Sequence, residues 1–360
     1  MYIITNRNIT NGSGLNKFGK DLSSKGPHDV RMFDVTKKSK KWAVSEVIDE
    51  LRPSAVKKLK NKYNLSLDES KPWHGSLQVA CSLFAKANKE KKSILFYVHG
   101  YNNDVEDVMK TAFEIERHYK NVIVVPFTWP ANGGGAVSGM ASYLSDKSDA
   151  RLSVGALNRV VGKIQYYHLL LTQANKEALK DKANTKHPDN SLLSNALFVK
   201  LMDKECPVKL NLLCHSMGNY LLKKTLGSSD NTTSNLVFDN VCLIAADANN
   251  AGHKKWVEKI DVRKRLYVVI NEDDFALKAA RIKPGDEQLA RLGHYTRRLN
   301  SKNAHYIDLT NAKHVGREHS YFTGASVVKN KKLSAMFKKM FSGTSVEESL
   351  TYKSNNTYVL

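Results

Sequence analysis

Four cysteines and eight prolines are all that the 360 residues contain. Cys81, Cys206, Cys214 and Cys242 show no C-x-x-C spacing, which excludes a zinc knuckle or a thioredoxin-type site. Apolar neighbours around three of them suggest buried thiols in a reducing compartment. No stretch reaches the roughly 18 apolar residues of a membrane span. The opening MYIITNRNIT lacks a basic segment followed by an apolar run, so a signal peptide is not expected and the expected location is cytoplasmic. Phosphate-cradling glycine motifs are also missing. Gly133-Gly134-Gly135 suggests a loose loop, but Ser138 stands where G-x-G-x-x-G needs its last glycine, and no G-x-x-x-x-G-K-[ST] occurs. His314 to His319 reads H-x-x-x-E-H, which is neither of the common zinc spacings. No cofactor and no metal are therefore expected.

Acidic residues are scarce. Against 56 Lys+Arg stand 35 Asp+Glu, a formal net charge of +21. Such a surface attracts anions, so an anionic membrane or an acidic protein is a candidate partner. No specific nucleic-acid motif appears, and basic charge alone would give only salt-sensitive binding. The short basic clusters (Lys37, Lys38, Lys40 and Lys41; Lys57, Lys58 and Lys60; Arg263, Lys264 and Arg265) lie far apart along the chain.

What the chain does have is a series of short apolar runs bounded by turn residues. The clearest are 94–98, 122–127, 208–213, 241–246, 266–270 and 304–309, with weaker ones at 2–5 and 30–35. Most are β-branched or aromatic and apolar on both faces, the pattern of strands buried in a parallel sheet. Helical spacing recurs between them at 76–88, 105–119 and 219–226. This alternation predicts an α/β fold, a mostly parallel, doubly wound sheet with helices on both faces. Residues 1–341 are expected to form one domain. Within it, 7–29 reads as loop, 20–90 as an N-terminal elaboration, and 136–206 as a helical insertion and candidate cap. Residues 342–360 are polar and read as a loose tail. In 328–341, Leu333, Met336, Phe337, Met340 and Phe341 form a helical stripe edged by lysines. Packing on the sheet is expected, with contact to an anionic membrane as the alternative.

The run 210–213 ends in Cys214-His215-Ser216-Met217-Gly218, and a helical pattern begins at once. A serine on a sharp strand-to-helix turn is a nucleophile elbow, whose tightness demands small residues two before and two after it, here Cys214 and Gly218. The helix N-terminus behind Ser216 favours developing negative charge. The 94–98 strand runs into His99-Gly100-Tyr101. There Gly100 would let the backbone approach a reacting oxygen. The N–H groups of Tyr101 and Met217 are the candidate oxyanion donors, with His99 supporting. Strand 266–270 ends in Asn271-Glu272-Asp273-Asp274, and strand 304–309 is followed by His314 and His319. Both lie where open α/β sheets place their sites. Ser216, Asp274 and His319 thus follow in nucleophile, acid, base order. Asp247 and Asp273 are alternative acids, and His314 an alternative base. His215 is expected to point away from its neighbour Ser216.

FYVHGYNN, PFTWP, CHSMGN, the DFAL at Asp274–Leu277 and HSYF together resemble a bacterial α/β-hydrolase family without an assigned function. Tyr143-x-x-Asp146-x-x-x-Ala150-x-x-Ser153 and Arg291-Leu292-Gly293 resemble further motifs of that family. The likeness covers residues from about 90 to 325, together with the opening IITNR. Cys214 departs from the family's usual Ala or Gly. The resemblance implies an α/β-hydrolase fold and a serine hydrolase acting on an ester, thioester or related acyl bond, but supplies no substrate; a small-molecule or lipid ester is expected, the basic surface favouring a phospholipid. It places the acid on Asp274 and the base on His319. The alternative function is a non-catalytic or partner-gated scaffold that binds an acidic protein, nucleic acid or an anionic membrane.

Overall fold

Runs of β-branched and aromatic residues that can be buried on both faces have one economical arrangement, a parallel sheet with helices above and below. The computed structural model describes residues 1–39, 41–131, 139–204, 208–228, 237–281 and 289–360. Gly133–Gly135, Ser138, Lys40 and Cys206 lie outside these. By contacts the chain forms two compact units. The first comprises Met1–Glu46, Ser93–Val161 and Lys209–Leu360, and the second Val47–Lys92 and Gly162–Val208.

The strands of the first unit are β1 (Tyr2–Thr5), β2 (Arg7–Ile9), β3 (Phe18–Leu22), β4 (Arg31–Lys38), β5 (Lys41–Glu46), β6 (Ser93–Val98), β7 (Val122–Thr128), β8 (Leu210–His215), β9 (Asn240–Ile244), β10 (Arg265–Ile270), β11 (Ala304–Asp308), β12 (Thr351–Ser354) and β13 (Thr357–Val359). Among the described residues, eleven of them form one sheet in the order β12-β13-β11-β10-β9-β8-β6-β7-β1-β4-β5. Pairing is parallel from β13 through β11, β10, β9, β8, β6 and β7 to β1, and antiparallel at both margins. The chain leaves β6 towards β7 on one side and returns as β8 on the other. The strand order therefore reverses at β6, the position where open α/β sheets form a crevice.

The helices are α1 (Pro53–Tyr63), α2 (Gly75–Glu90), α3 (Val105–His118), α4 (Gly139–Leu152), α5 (Val154–Lys186), α6 (Ser191–Lys204), α7 (Met217–Ser228), α8 (Lys254–Val257), α9 (Phe275–Ala280), α10 (Gly324–Lys329) and α11 (Lys331–Phe341). Helix α3 opens on a capping box: the Asp104 side chain accepts from the Asp107 N–H at 2.9 Å, and Asp107 answers at the Asp104 N–H. The stripe of α11 (Leu333, Met336, Phe337, Met340, Phe341) is fully buried, in one cluster with Tyr119, Tyr321 and Phe322. It is core, as its spacing predicts, and not a membrane-facing surface.

Two expectations need correction. Residues 342–360 are not a loose tail. They form a 3-10 turn and the β12–β13 hairpin, and β13 pairs parallel with β11 from Tyr306 to Asp308. Glu347 fastens the turn: Arg265 Nε donates to its carboxylate at 2.6 Å, and the Val346 N–H donates to it at 2.9 Å. Nor is 7–29 all loop, because β2 and β3 pair antiparallel within it. Both stretches are polar strands, whose stability comes from neighbouring chain and leaves no apolar run to read.

In the second unit, α1, α2, the later turns of α5 and α6 pack together. Leu77, Cys81 and Phe84 of α2 and Tyr167, Leu171 and Ala174 of α5 are buried. Trp73 stacks on Tyr166 at 6.1 Å, and the Ser76 and Tyr167 hydroxyls lie 3.0 Å apart. Parts of the elaboration 20–90 and of the insertion 136–206 thus share one core, while α4 and the first turns of α5 belong to the first unit. Helix α6 is apolar along most of its length (SLLSNALFVKLMDK), yet among its described side chains only Ser194 is buried.

Candidate active site

The site forms at the carboxyl ends of β6, β8, β10 and β11. Between β8 and α7 the backbone of Ser216 turns with φ at 51°, the left-handed region that a non-glycine residue adopts only at a cost. That turn is held from several sides. The Ser216 N–H donates to the Ile244 carbonyl at 3.1 Å, and the Asp247 N–H donates to the Ser216 carbonyl at 3.1 Å. Asn219 Nδ2 donates to the carbonyls of Cys214, Ser216 and Ile244 at 3.0 to 3.2 Å. Close approach explains two glycines. A Cβ on Gly218 would sit 2.6 Å from the Val98 carbonyl oxygen, and one on Gly100 would sit 2.6 Å from Ser216 Cβ. Cys214 is buried and free, and burial pushes its thiol far above the usual range, so its small size is what the turn uses.

Asp274 is the N-cap of α9. Its Oδ1 accepts from the Leu277 N–H at 3.0 Å, which leaves Oδ2 for His319 Nδ1 at 2.7 Å. The carboxylate is fully buried, while the imidazole is about a quarter exposed. This pairing separates the candidate acids and bases. Asp273 is exposed, and its N–H is turned to Asn271 Oδ1. His314 is exposed on a left-handed backbone with φ at 64°. Asp247 is buried, but its carboxylate faces Arg291 Nε at 2.9 Å and the Tyr143 hydroxyl at 2.9 Å rather than a histidine. Among the described residues the Ser216 hydroxyl makes no hydrogen bond. Catalytic hydrogen bonds often close only when substrate arrives.

Two further histidines, His99 and His215, are buried beside this site. His99 is fully buried, and burial, reinforced by the Arg7 charge, lowers its pKa to about 3. Its Nδ1 donates to the Gly100 carbonyl at 2.8 Å and its Nε2 accepts from the Trp129 N–H at 3.2 Å. His215, expected to point away from Ser216, packs its side chain against His319. Its Nε2 donates to the His319 carbonyl at 3.2 Å, and the two rings lie 4.6 Å apart. Burial holds the His215 pKa well below its usual value.

The loop His99–Asn103 is braced equally closely. Asn103 Nδ2 donates to the Tyr101 carbonyl at 2.6 Å, and Asp146 Oδ2 accepts from the Asn102 N–H at 3.1 Å. Arg7, buried just after β1, donates to the Asn103 carbonyl at 3.1 Å and to Thr128 Oγ1 at 3.1 Å. Met217 opens α7, so its N–H has no acceptor within the helix. Sequence reading missed Arg7, Asn219 and His215 as supports. Their signal was weak: Arg7 and His215 bond to partners about 100 residues away, and Asn219 bonds only backbone carbonyls around the turn. Among the described residues, no group of three or more His, Cys, Asp or Glu could hold a metal ion. No helix among them is long and apolar enough to cross a membrane.

A family model described as an alpha/beta hydrolase of unknown function (DUF900) matches residues 78–169 and 176–336, well over half of the chain. No curated protein matches.

Proposed function

The chain belongs to this alpha/beta hydrolase family, and from that membership we propose that it cleaves a carboxylic ester or related acyl bond through Ser216, His319 and Asp274. The observation that carries the reading is the 2.7 Å bond from His319 Nδ1 to a buried, helix-capping Asp274. With Nδ1 donating there, Nε2 is left as the base. It takes the Ser216 proton as Oγ attacks the carbonyl carbon, and Asp274 stabilises the imidazolium. The oxyanion is received by the N–H groups of Met217 and Tyr101, aided by the positive end of α7. His319 then gives its proton to the leaving alcohol or thiol, and an acyl group remains on Ser216. Water, deprotonated by His319, attacks that acyl group, and the imidazolium returns the proton to Ser216 Oγ as the carboxylic acid is released.

Reaction of the purified protein with a fluorophosphonate tests this. The parent should be labelled on the peptide containing Ser216, and Ser216→Ala should not. Equal labelling of both, or labelling of neither, contradicts the proposal.

A second reading concerns where the protein works. An apolar α6 with little burial, on a chain of net charge +21, favours contact with an anionic lipid surface. The substrate would then be a lipid ester. The buried free thiols of Cys81, Cys214 and Cys242 fit a reducing, cytoplasmic setting.

A further inference from the structure

Catalysis by an oxyanion hole depends on the spacing of its donors, and here the two candidate N–H groups come from different loops. Tyr101 follows β6 and Met217 follows β8. Adjacent strands fix the roots of the loops, with Val98 paired to Cys214, and Gly100 abuts Ser216, but the Tyr101 and Met217 donors lie one residue beyond that contact. One element reaches both tips. Asp146 of α4 accepts from the Asn102 N–H at 3.1 Å, next to the Tyr101 donor. One turn earlier on the same helix, the Tyr143 ring packs edge-on against the Tyr101 ring with centroids 5.4 Å apart. Its hydroxyl donates to Asp247 Oδ2 at 2.9 Å. The backbone N–H of Asp247 in turn donates to the Ser216 carbonyl at 3.1 Å, next to the Met217 donor.

The side chains that make these links are buried. Tyr143, Asp146, Asp247 and Arg291 are all at most 4% exposed. Arg291 completes the far side, pairing with Asp247 at 2.9 Å and reaching Asn249 Oδ1 at 2.7 Å and the Tyr143 hydroxyl at 3.3 Å. The helix itself is anchored just past its end, where Ser153 Oγ accepts from Asn6 Nδ2 at 2.9 Å. Buried polar links of this kind are costly unless satisfied, and once satisfied they hold a single geometry.

We propose that Tyr143 and Asp146 are positioning residues: α4 is a brace that sets the distance between the Tyr101 and Met217 N–H groups. The inference rests on the serine-hydrolase reading. It also explains why Asp247 serves no histidine, since its carboxylate and N–H are committed to this brace. Because the brace bonds to backbone groups beside the two donors and not to the Ser216 hydroxyl, its loss should reduce stabilisation of the transition state more than ground-state binding.

Tyr143→Phe removes the bond to Asp247 and keeps the ring against Tyr101. Asp146→Ala removes the acceptor for Asn102, whereas Asp146→Asn keeps an amide oxygen in its place. With the fluorophosphonate probe and a p-nitrophenyl ester, Tyr143→Phe and Asp146→Ala should lower the labelling rate and kcat by roughly 10- to 100-fold, the scale of a misplaced donor. KM should stay within about twofold of the parent, and Asp146→Asn should recover most of the rate. Far-ultraviolet circular dichroism and thermal melts of each variant separate misfolding from mispositioning. Folded Tyr143→Phe that labels as fast as the parent overturns the proposal, as does an Asp146→Asn no better than Asp146→Ala. A parent that is not labelled at all is a different failure, that of the serine-hydrolase reading, and the brace falls with it.

Discussion

His99 and His215 occupy positions where a proton would be destructive. Each is buried with a pKa held below the usual 6.5, and for His99 it falls to about 3. The unfolded chain binds these protons more readily than the folded one, so stability is full above about pH 6.5 and is lost as pH falls towards 3. The slope for one such group is at most about 1.4 kcal/mol per pH unit. Urea unfolding midpoints should therefore fall between pH 7 and pH 5, and His99→Asn should flatten that fall. Parallel pH profiles for parent and variant would contradict the assignment. Gly218 carries a second prediction at this scale. The space its Cβ would need is filled by the Val98 and His99 carbonyls, so Gly218→Ala should displace the elbow and cut fluorophosphonate labelling. Undiminished labelling would show that the turn yields. The candidate catalytic residues were legible because they sit at fixed places: a small-x-Ser-x-Gly turn, then an acid and a histidine after later strands. Asp274 against Asp273, and His319 against His314, could not be separated from spacing alone. In the structure Asp274 caps α9 and bonds His319 while Asp273 is exposed, and His314 is exposed too, which favours the first of each pair.

Among the elements, α11 was the easiest to foresee, because its apolar stripe keeps one helical period from Leu333 to Phe341. Phe337 lies at the centre of that packing, near Tyr321, Phe322 and Phe341. Phe337→Ala should cost about 3–5 kcal/mol, read as a lower urea midpoint at unchanged slope. A loss below about 1 kcal/mol would mean that the stripe is not core. The β12–β13 hairpin was illegible for the opposite reason. The side chains of β12 are all exposed, and the sheet receives it through backbone pairing and through Glu347, neither of which leaves an apolar pattern. Helix α4 is intermediate. Its residues were noticed as a motif, but that Tyr143 and Asp146 reach two separate loops depends on contacts at separations of about 40 to 100 residues.

For the whole molecule, alternating strands and helices sufficed to foresee a mostly parallel sheet, since burial on both faces leaves few other solutions. The grouping of Val47–Lys92 with Gly162–Val208 could not be foreseen, because it is set by side-chain contacts between distant segments. Charge acts at this scale too. A net +21 together with an exposed, apolar α6 predicts binding to phosphatidylglycerol vesicles over phosphatidylcholine vesicles. That preference should weaken at about 0.5 M salt, where screening is within several ångströms. Equal sedimentation with both lipids would contradict it.

The central claim is that Ser216 carries an acyl group during turnover, and stopped-flow release of p-nitrophenolate from a p-nitrophenyl ester tests it most directly. The account predicts a burst approaching one equivalent per chain, then a slower steady rate, with the burst absent in Ser216→Ala. Release that is linear from the start and identical in parent and Ser216→Ala would contradict it.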